Sequence, residues 1–243
     1  MIIGILGAMY EEIKPLHQLI DNIIQKKYYN YIFYIGNLLN IKIIFLISGI
    51  GKVAASIAST ILINKYHPNL IINIGTAGSI HHILKTGNIV LANTISYYDV
   101  NITKFGYKIG QIPSCPQFFL INQQLLHLTT ETLNKKKIQF FQGLIVTGDA
   151  FIHSKKTAQL IKKKFHNAIA VDMESAAIAH VCFKLNTPLL TIKCISDYAN
   201  NTGHIDFKIF IHISSQTSCN VLTILLNELN KNTKIKHILK TNN

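Results

Sequence analysis

The stretch AVDMESAA, residues 170–177, joins an apolar run to an alanine-rich segment through two carboxylates. This pattern predicts a strand that ends at Asp172 and a helix that begins near Glu174. In open α/β sheets, ligands bind at the carboxyl ends of strands, where the first turn of the next helix offers unpaired N–H groups and a positive dipole end. A purely structural interpretation is also open, because acidic residues favour the first helical turn electrostatically.

Two further strand ends carry carboxylates. The apolar run LLTIKCI, residues 189–195, leads into Asp197, and the first predicted strand, residues 2–7, is followed by Glu12. Only 11 of the 243 residues are acidic, so their placement at three strand ends carries weight. We therefore expect these carboxylates to share one site.

The length and composition favour one cytoplasmic domain. A chain of 243 residues can bury a full core, and we expect a single domain over residues 1–230 with a frayed, Lys- and Asn-rich tail over residues 231–243. No run of 18 apolar residues and no basic leader is present, so we expect neither a membrane span nor a signal peptide. The four cysteines are widely spaced, which favours reduced structural thiols over a zinc or redox site.

The net charge of +13 is compatible with a nucleic-acid binder. However, all 24 basic residues are lysine, and base readout and phosphate recognition favour the planar fork of arginine. Abundant Ile, Asn, Lys and Tyr without Arg or Trp is typical of drift in an AT-rich coding sequence. We expect no nucleic-acid partner.

The remaining patterns alternate between strand and helix. We predict strands at residues 2–7, 28–36, 41–48, 69–74, 88–95, 138–147, 168–172 and 188–196, and helices near residues 11–20, 54–59, 121–135, 155–164, 174–186 and 206–230. Gly36-Asn37 should form the turn of a hairpin, and Pro15 should lie in the first turn of its helix. Residues 75–79 should form a small-residue turn after a buried strand.

Two segments have open interpretations. SGIGK, residues 48–52, resembles a phosphate loop only weakly, and its glycines suit tight strand-to-helix packing equally well. Residues 97–116 form a long loop rich in aromatic residues. A loop of this length is typical of a lid, an interface arm or disorder, and the aromatic content argues against disorder.

Together these segments resemble the bacterial 5′-methylthioadenosine/S-adenosylhomocysteine nucleosidases of the nucleoside phosphorylase superfamily. The resemblance runs from Met1 to about residue 230. It is carried by IGILGAMYEE, SGIGKVAA, NIGTAGS, DVNITKFGYKIGQIPSCP, VTGDAFI, AVDMESAAIAHVC and ISDYAN. The combination is highly specific, although each segment alone would be weak.

The resemblance implies a three-layer α/β/α sandwich around a mixed, strongly curved sheet. It also implies a homodimer in which the loop 97–116 closes the neighbour's pocket. The implied reaction is hydrolysis of the N-glycosidic bond of 5′-methylthioadenosine, S-adenosylhomocysteine and 5′-deoxyadenosine, without a cofactor or metal. Adenine would be released, which serves methionine salvage and the removal of S-adenosylmethionine by-products.

Three carboxylates receive roles from the resemblance. Asp197 would protonate adenine N7, Glu12 would position and deprotonate water, and Glu174 would hold the ribose hydroxyls above Met173. The chemistry is consistent with these roles, because adenine leaves poorly as an anion while the sugar becomes cationic. An acid and a water-activating carboxylate on opposite sides of the bond is the arrangement of inverting glycosidases. Asp197 must be protonated to act, so its pKa must lie above the ordinary value.

The resemblance also implies the walls of the pocket. Phe151 would stack on adenine, and the backbone of Ile152 would read its edge. The other implied substrate-binding positions are Met9, Ile50, Thr76, Ala77, Gly78, Lys193, Ser196 and Phe207, and the partner subunit would add Ile102, Phe105 and Pro113. Each aromatic or aliphatic residue could instead be ordinary core packing.

Three positions depart from the pattern of the family. Asp172 stands where Glu is usual, Thr76 where Ser is usual, and Lys193 where Arg is usual, which affects the expected rate more than the expected reaction. Three alternatives remain at this point: a purine or uridine nucleoside phosphorylase, a basic nucleic-acid binder, and a chain that binds adenine nucleosides without turnover. Phosphate dependence separates the first from a hydrolase.

Overall fold

A computed structural model describes residues 1–20, 22–199, 203–233, 237 and 239. The strands are β1 Ile2–Gly7, β2 Ile24–Tyr28, β3 Tyr31–Leu38, β4 Ile41–Ile47, β5 Leu70–Ser79, β6 Ile89–Tyr97, β7 Phe119–Leu120, β8 Phe140–Thr147, β9 Ala168–Asp172 and β10 Leu189–Tyr198. The helices are α1 Tyr10–Leu19, α2 Lys52–Tyr66, α3 Gln123–Lys135, α4 Lys155–Lys164, α5 Ser175–Lys184 and α6 Gly203–Lys231.

In these ranges ten strands form one mixed sheet in the order β10-β6-β8-β9-β5-β1-β4-β3-β2, with β7 paired to β6. Strand β5 is central, since it pairs in parallel with β1 and β10 and antiparallel with β9. The β10–β5 pairing closes five strands on one another, which curves the sheet as predicted. All ten residues of β5 are buried, consistent with an apolar run covered on both faces.

Helices cover both faces of the sheet. A Cβ added at Gly4 would lie 2.8 Å from Leu62 of α2, and one added at Gly7 would lie 2.6 Å from Ile13 of α1. Residues three apart in a strand point to opposite faces, so α1 and α2 pack on opposite sides of β1. The predicted three-layer α/β/α sandwich is confirmed.

The predicted position of the hairpin turn was wrong. Gly36 and Asn37 lie within β3, and the chain reverses at Leu39-Asn40, where both residues have positive φ. Two left-handed residues are the requirement of the two-residue hairpin turn whose twist matches the strands. The residue type of Leu39 does not indicate a turn. The fully exposed edge strand β2 was also not predicted, because Gln25-Lys26-Lys27 lacks an apolar pattern.

Two other local predictions were wrong. Pro15 lies in the middle of α1 and is buried there, not in the first turn. Residues 75–79 continue β5 as strand, because β10 pairs with all of them and β9 pairs with Gly78 and Ser79 on the other side. The other predicted elements are present with ends shifted by a few residues, except that α2, predicted over residues 54–59, continues to Tyr66.

Helix α6 is the longest helix in the described ranges. Its segment His204–Lys231 is long and apolar enough to span a membrane by length and composition alone, but half of the apolar window is buried inside the protein. It packs against β10, β5 and α1, as a core helix does. Most of the predicted tail, including residues 234–236 and 240–243, lies outside the described residues.

Candidate active site

The ends of β1, β5, β9 and β10 surround one cavity of about 480 Å³. Its predicted lining residues are Met9, Glu12, Ile50, Thr76, Ala77, Gly78, Phe151, Met173, Glu174, Ser196, Asp197 and Phe207. A narrow inner recess of about 30 Å³ is lined by Gly78, Phe151, Ile152, Met173 and Asp197, among others. The structure therefore brings together residues that lie almost 200 positions apart in the chain.

Both carboxylate oxygens of Glu12 accept hydrogen bonds. Oε2 accepts from the N–H groups of Ala8 at 2.6 Å and Met9 at 3.2 Å, and Oε1 accepts from the N–H of Thr76 at 2.8 Å and its hydroxyl at 3.0 Å. Gly75 is required beside it, because a Cβ there would collide with the carboxylate and the backbone φ is +136°. The segment between β1 and α1 and the central strand thus fix this carboxylate from two sides.

Glu174 precedes α5 and is 6% exposed. Its Oε1 accepts a hydrogen bond from the N–H of Gly51 at 2.9 Å. Burial raises the pKa of Glu174 to about 7, with a further rise from Asp172 and opposing effects from Lys193 and the Gly51 N–H. Its charge is therefore sensitive to small changes in its surroundings near neutral pH.

Lys193 is buried behind the cavity and does not line it. Its Nζ lies 3.2 Å from Asp172 Oδ2, and its side chain is 1% exposed. Burial favours the neutral amine, but the carboxylates of Asp172, Glu12 and Glu174 outweigh this effect, so the pKa of Lys193 is raised. Lys193 is therefore a shared cation for three carboxylates, and its predicted contact with substrate stays a prediction.

Asp172 is held from several sides. It accepts hydrogen bonds from the Thr147 hydroxyl at 2.6 Å and from both the N–H and the hydroxyl of Ser175. The Ser175 hydroxyl in turn accepts from the Asn73 side chain at 2.9 Å. This network spans β5, β8, β9 and α5, so the position of Lys193 is set by four elements.

Asp197 is 2% exposed and lines both the cavity and its inner recess. Burial raises its pKa to about 6, the hydrogen bond from Ser196 opposes this rise, and Asp206 adds to it. Ser196 Oγ donates to Oδ2 at 2.8 Å. The β10–β5 register shifts between Ile195 and Asp197, and this irregularity lets two successive residues, Ser196 and Asp197, line the same cavity.

Comparison with known proteins identifies the family. The Phosphorylase superfamily model matches residues 2–227. A curated 5′-methylthioadenosine/S-adenosylhomocysteine nucleosidase from Buchnera aphidicola subsp. Baizongia pistaciae is 45% identical over 241 residues, which cover 99% of this chain and 95% of the relative. This chain belongs to the methylthioadenosine/S-adenosylhomocysteine nucleosidase family.

Solved structures agree with this nucleosidase assignment. The enzyme of S. pneumoniae, solved with the transition-state inhibitor MT-ImmA, superimposes with a TM-score of 0.92 at 34% identity and covers 94% of this chain and 100% of that one. A futalosine hydrolase from Helicobacter pylori also matches, with a TM-score of 0.90 at 33% identity over 94% of this chain and 98% of that one. The resemblance stated from the sequence and the predicted fold are both confirmed.

Sequence reasoning missed part of the nucleosidase pocket. Ala8, Val171, His204 and Lys208 also line the cavity, and so does Asp172, the strand end that the sequence placed at this edge. His204 and Lys208 are four residues apart on α6, so both reach the same mouth. Their spacing was the available signal, and it is too common in helices to be decisive.

The three residues assigned to a partner subunit lie outside this pocket. Phe105 is 79% exposed at the tip of the loop, Pro113 is exposed, and Ile102 is partly buried. Within the described ranges, no group of three or more His, Cys, Asp or Glu side chains could hold a metal ion. The cavity is lined by carboxylates, apolar side chains, the hydroxyl residues Thr76 and Ser196, and His204 and Lys208. The ammonium of Lys193 is buried behind it.

Proposed function

We propose that this nucleosidase cleaves the N-glycosidic bond of 5′-methylthioadenosine and S-adenosylhomocysteine with water. The products are adenine and the free 5-thio-substituted ribose. The observation that carries this proposal is the placement of three buried carboxylates with different environments, Glu12, Glu174 and Asp197, around one cavity. The names of the matching relatives support the substrate class.

Asp197 acts as the general acid. It lies beside the inner recess, where Phe151 and Ile152 provide an apolar surface for a purine. A pKa of about 6 leaves roughly a tenth of the carboxyls protonated at pH 7 before any ligand binds, whereas an ordinary aspartate would be almost fully ionised. Proton transfer to adenine N7 turns a poor anionic leaving group into a neutral one.

Glu12 and Glu174 act on the sugar side. Glu12 has both oxygens fixed by hydrogen bonds, which holds it ready to orient a water and accept its proton. Glu174 accepts hydrogen bonds from the ribose hydroxyls and stabilises the cationic sugar electrostatically. Since Lys193 neutralises part of this negative charge, the carboxylates can remain together in a buried site.

The 5′ substituent lies between Met9, Ile50 and Phe207, and the partner's loop covers it. Several apolar side chains support a homodimer, because they are exposed on the single chain: Ile50 is 56% exposed, Val53 70%, Ile57 47% and Phe105 79%. The protein acts in the cytoplasm, in methionine salvage and removal of S-adenosylmethionine by-products. It also accepts 5′-deoxyadenosine.

We expect a homodimer at micromolar concentration whose activity depends on Phe105. The Phe105→Ala variant should raise KM for 5′-methylthioadenosine by about 10- to 100-fold, because it removes the apolar cover of the 5′ group. Sedimentation and steady-state kinetics test this, with Leu160→Ala, an exposed leucine on α4, as the matched control. A fully active monomer would contradict the shared site.

We expect the rate to be indifferent to phosphate. The chain has no arginine to bind a phosphate dianion through two hydrogen bonds. Glu12 would also repel phosphate, since two unit negative charges 4 Å apart repel each other by about 4 kcal/mol at an effective dielectric of 20. Adenine and free 5-methylthioribose should form equally fast in phosphate-free buffer and in millimolar phosphate. Formation of 5-methylthioribose 1-phosphate as the main product would favour the purine or uridine phosphorylase alternative.

The same assay can compare nucleosides with different 5′ groups. Because a futalosine hydrolase matches this chain almost as well as the methylthioadenosine enzymes, futalosine belongs in the set of substrates. We expect 5′-methylthioadenosine to have the highest kcat/KM. A higher value for futalosine would reassign the substrate but leave the hydrolytic reaction intact.

A further inference from the structure

Helix α2 begins without a capping side chain of its own. Its N-cap is Gly51, with φ +93°, and no side-chain hydrogen bond comes from that residue. The first N–H of the helix, that of Lys52, donates instead to Asp149 Oδ1 at 2.7 Å. Asp149 lies in the loop after β8, 97 residues further along the chain. A distant carboxylate therefore performs the role of a local helix cap.

The neighbouring N–H points into the active site. The N–H of Gly51 donates to Glu174 Oε1 at 2.9 Å. Two successive main-chain donors thus bind two carboxylates, one from Asp149 and one from Glu174. Since both donors belong to adjoining peptide units, a shift of the α2 terminus would also displace the donor on Glu174.

Asp149 is itself held in place by Asp99, at the base of the loop that follows β6. Asp99 Oδ2 accepts from the N–H of Asp149 at 3.1 Å and from Lys52 Nζ at 2.5 Å. The three side chains are 25–46% exposed, so the ion pairs among them are screened and contribute little. The hydrogen bond to the main chain of Lys52 is the contact that fixes the geometry.

We propose that Asp149 is a positioning residue for the hydrolysis, because its cap on α2 holds the Gly51 N–H against Glu174. This inference rests on the proposed function for its effect on rate. The electrostatics agree, since the Gly51 N–H is one of the groups that lower the pKa of Glu174. The charged groups that act on Glu174 are Asp172, Lys193 and Glu12.

The test compares two substitutions at one position. Asp149→Ala removes the cap, whereas Asp149→Asn keeps an oxygen acceptor and removes the charge. We expect Asp149→Ala to lower kcat for 5′-methylthioadenosine by about 10- to 100-fold, the range that follows from a small misplacement of a catalytic group. The pKa of Glu174, followed by carbon NMR of its carboxyl, should rise. Asp149→Asn should keep both kcat and the pKa of Glu174 close to their wild-type values.

The matched control is Asn122→Ala. Asn122 caps α3 with hydrogen bonds to the N–H groups of Gln124 and Leu125, away from the cavity. This variant should lose a similar part of its stability and keep kcat and the pKa of Glu174. If Asp149→Ala matched this control in both readouts, or if Asp149→Asn were as impaired as Asp149→Ala, the inference would be overturned. Absence of adenine release by the wild type would contradict the proposed function instead, and the NMR readout would still test Asp149.

Discussion

The Asp197→Asn variant is expected to lose about 10²- to 10⁴-fold in kcat while it still binds adenine nucleosides. An amide of the same shape accepts the hydrogen bond from Ser196 and donates one to the purine, but it has no proton to transfer. Steady-state kinetics and calorimetric binding of a substrate analogue separate the two effects. Glu131→Gln, an exposed carboxylate on α3, is the matched control. Retention of more than about a tenth of the wild-type kcat would remove Asp197 as the general acid.

The same variant should be more stable than the wild type at neutral and alkaline pH. The pKa of Asp197 is raised from 3.8 to about 6 in the folded protein, so its ionised form opposes folding. This cost is absent below about pH 4, grows as the pH rises towards 6, and is complete above it, where it reaches about 3 kcal/mol. Urea denaturation of both proteins at pH 8 and at pH 4 tests this sign. A less stable variant at pH 8 would mean that the hydrogen bond from Ser196 outweighs the cost of burying the carboxylate.

The Glu12→Gln variant is expected to lose at least about 10²-fold in kcat, because an amide cannot accept a proton from water. The variant should also be less stable, since the wild-type oxygens accept hydrogen bonds from the N–H groups of Ala8 and Met9 on one side and of Thr76 on the other. A glutamine must turn its NH₂ group towards one of these donors, which leaves a buried N–H without an acceptor. This cost has no counterpart in Asp197→Asn.

The adjacent Glu11 provides the control. It lies in the first turn of the same helix but does not line the cavity, so Glu11→Gln should keep both kcat and the thermal midpoint. If Glu12→Gln kept the wild-type kcat and lowered the thermal midpoint, the role of Glu12 would be structural. The water would then need another base, for which Glu174 is the nearest candidate by charge and burial.

Local patterns in the chain predicted which carboxylates meet at one cavity. Strand runs that lead into Glu12, Asp172 and Asp197 predicted carboxylates at one edge of a sheet, and all three line one cavity. The motifs were also sufficient for the family. For Glu12 and Asp197 this agreement has a physical reason, because hydrophobic periodicity encodes each element and the parallel strands β1, β5 and β10 place their carboxyl ends on one side. Asp172 ends β9, which runs antiparallel to β5, so its place at the cavity depends on how the curved sheet pairs.

Features that depend on pairing between distant segments were not predictable. Residues 75–79 carry turn-forming types yet form strand, because β9 and β10 satisfy their backbone groups. The hairpin reverses at Leu39-Asn40 instead of Gly36-Asn37, since register with β4 decides which residues oppose one another. The cap on α2 comes from Asp149, which no local pattern links to Lys52.

The protonation states of the carboxylates were likewise not predictable from local sequence. Chemistry required a raised pKa at Asp197, but the value near 6 comes from burial under residues of other elements. Glu174 reaches about 7 through burial and the nearby charge of Asp172, while Lys193 limits the rise. The residue types and their order along the chain fix which groups can ionise. Their charges depend on distances between groups as far apart in the chain as Glu12 and Lys193 and on the removal of water, and both exist only after the chain has folded.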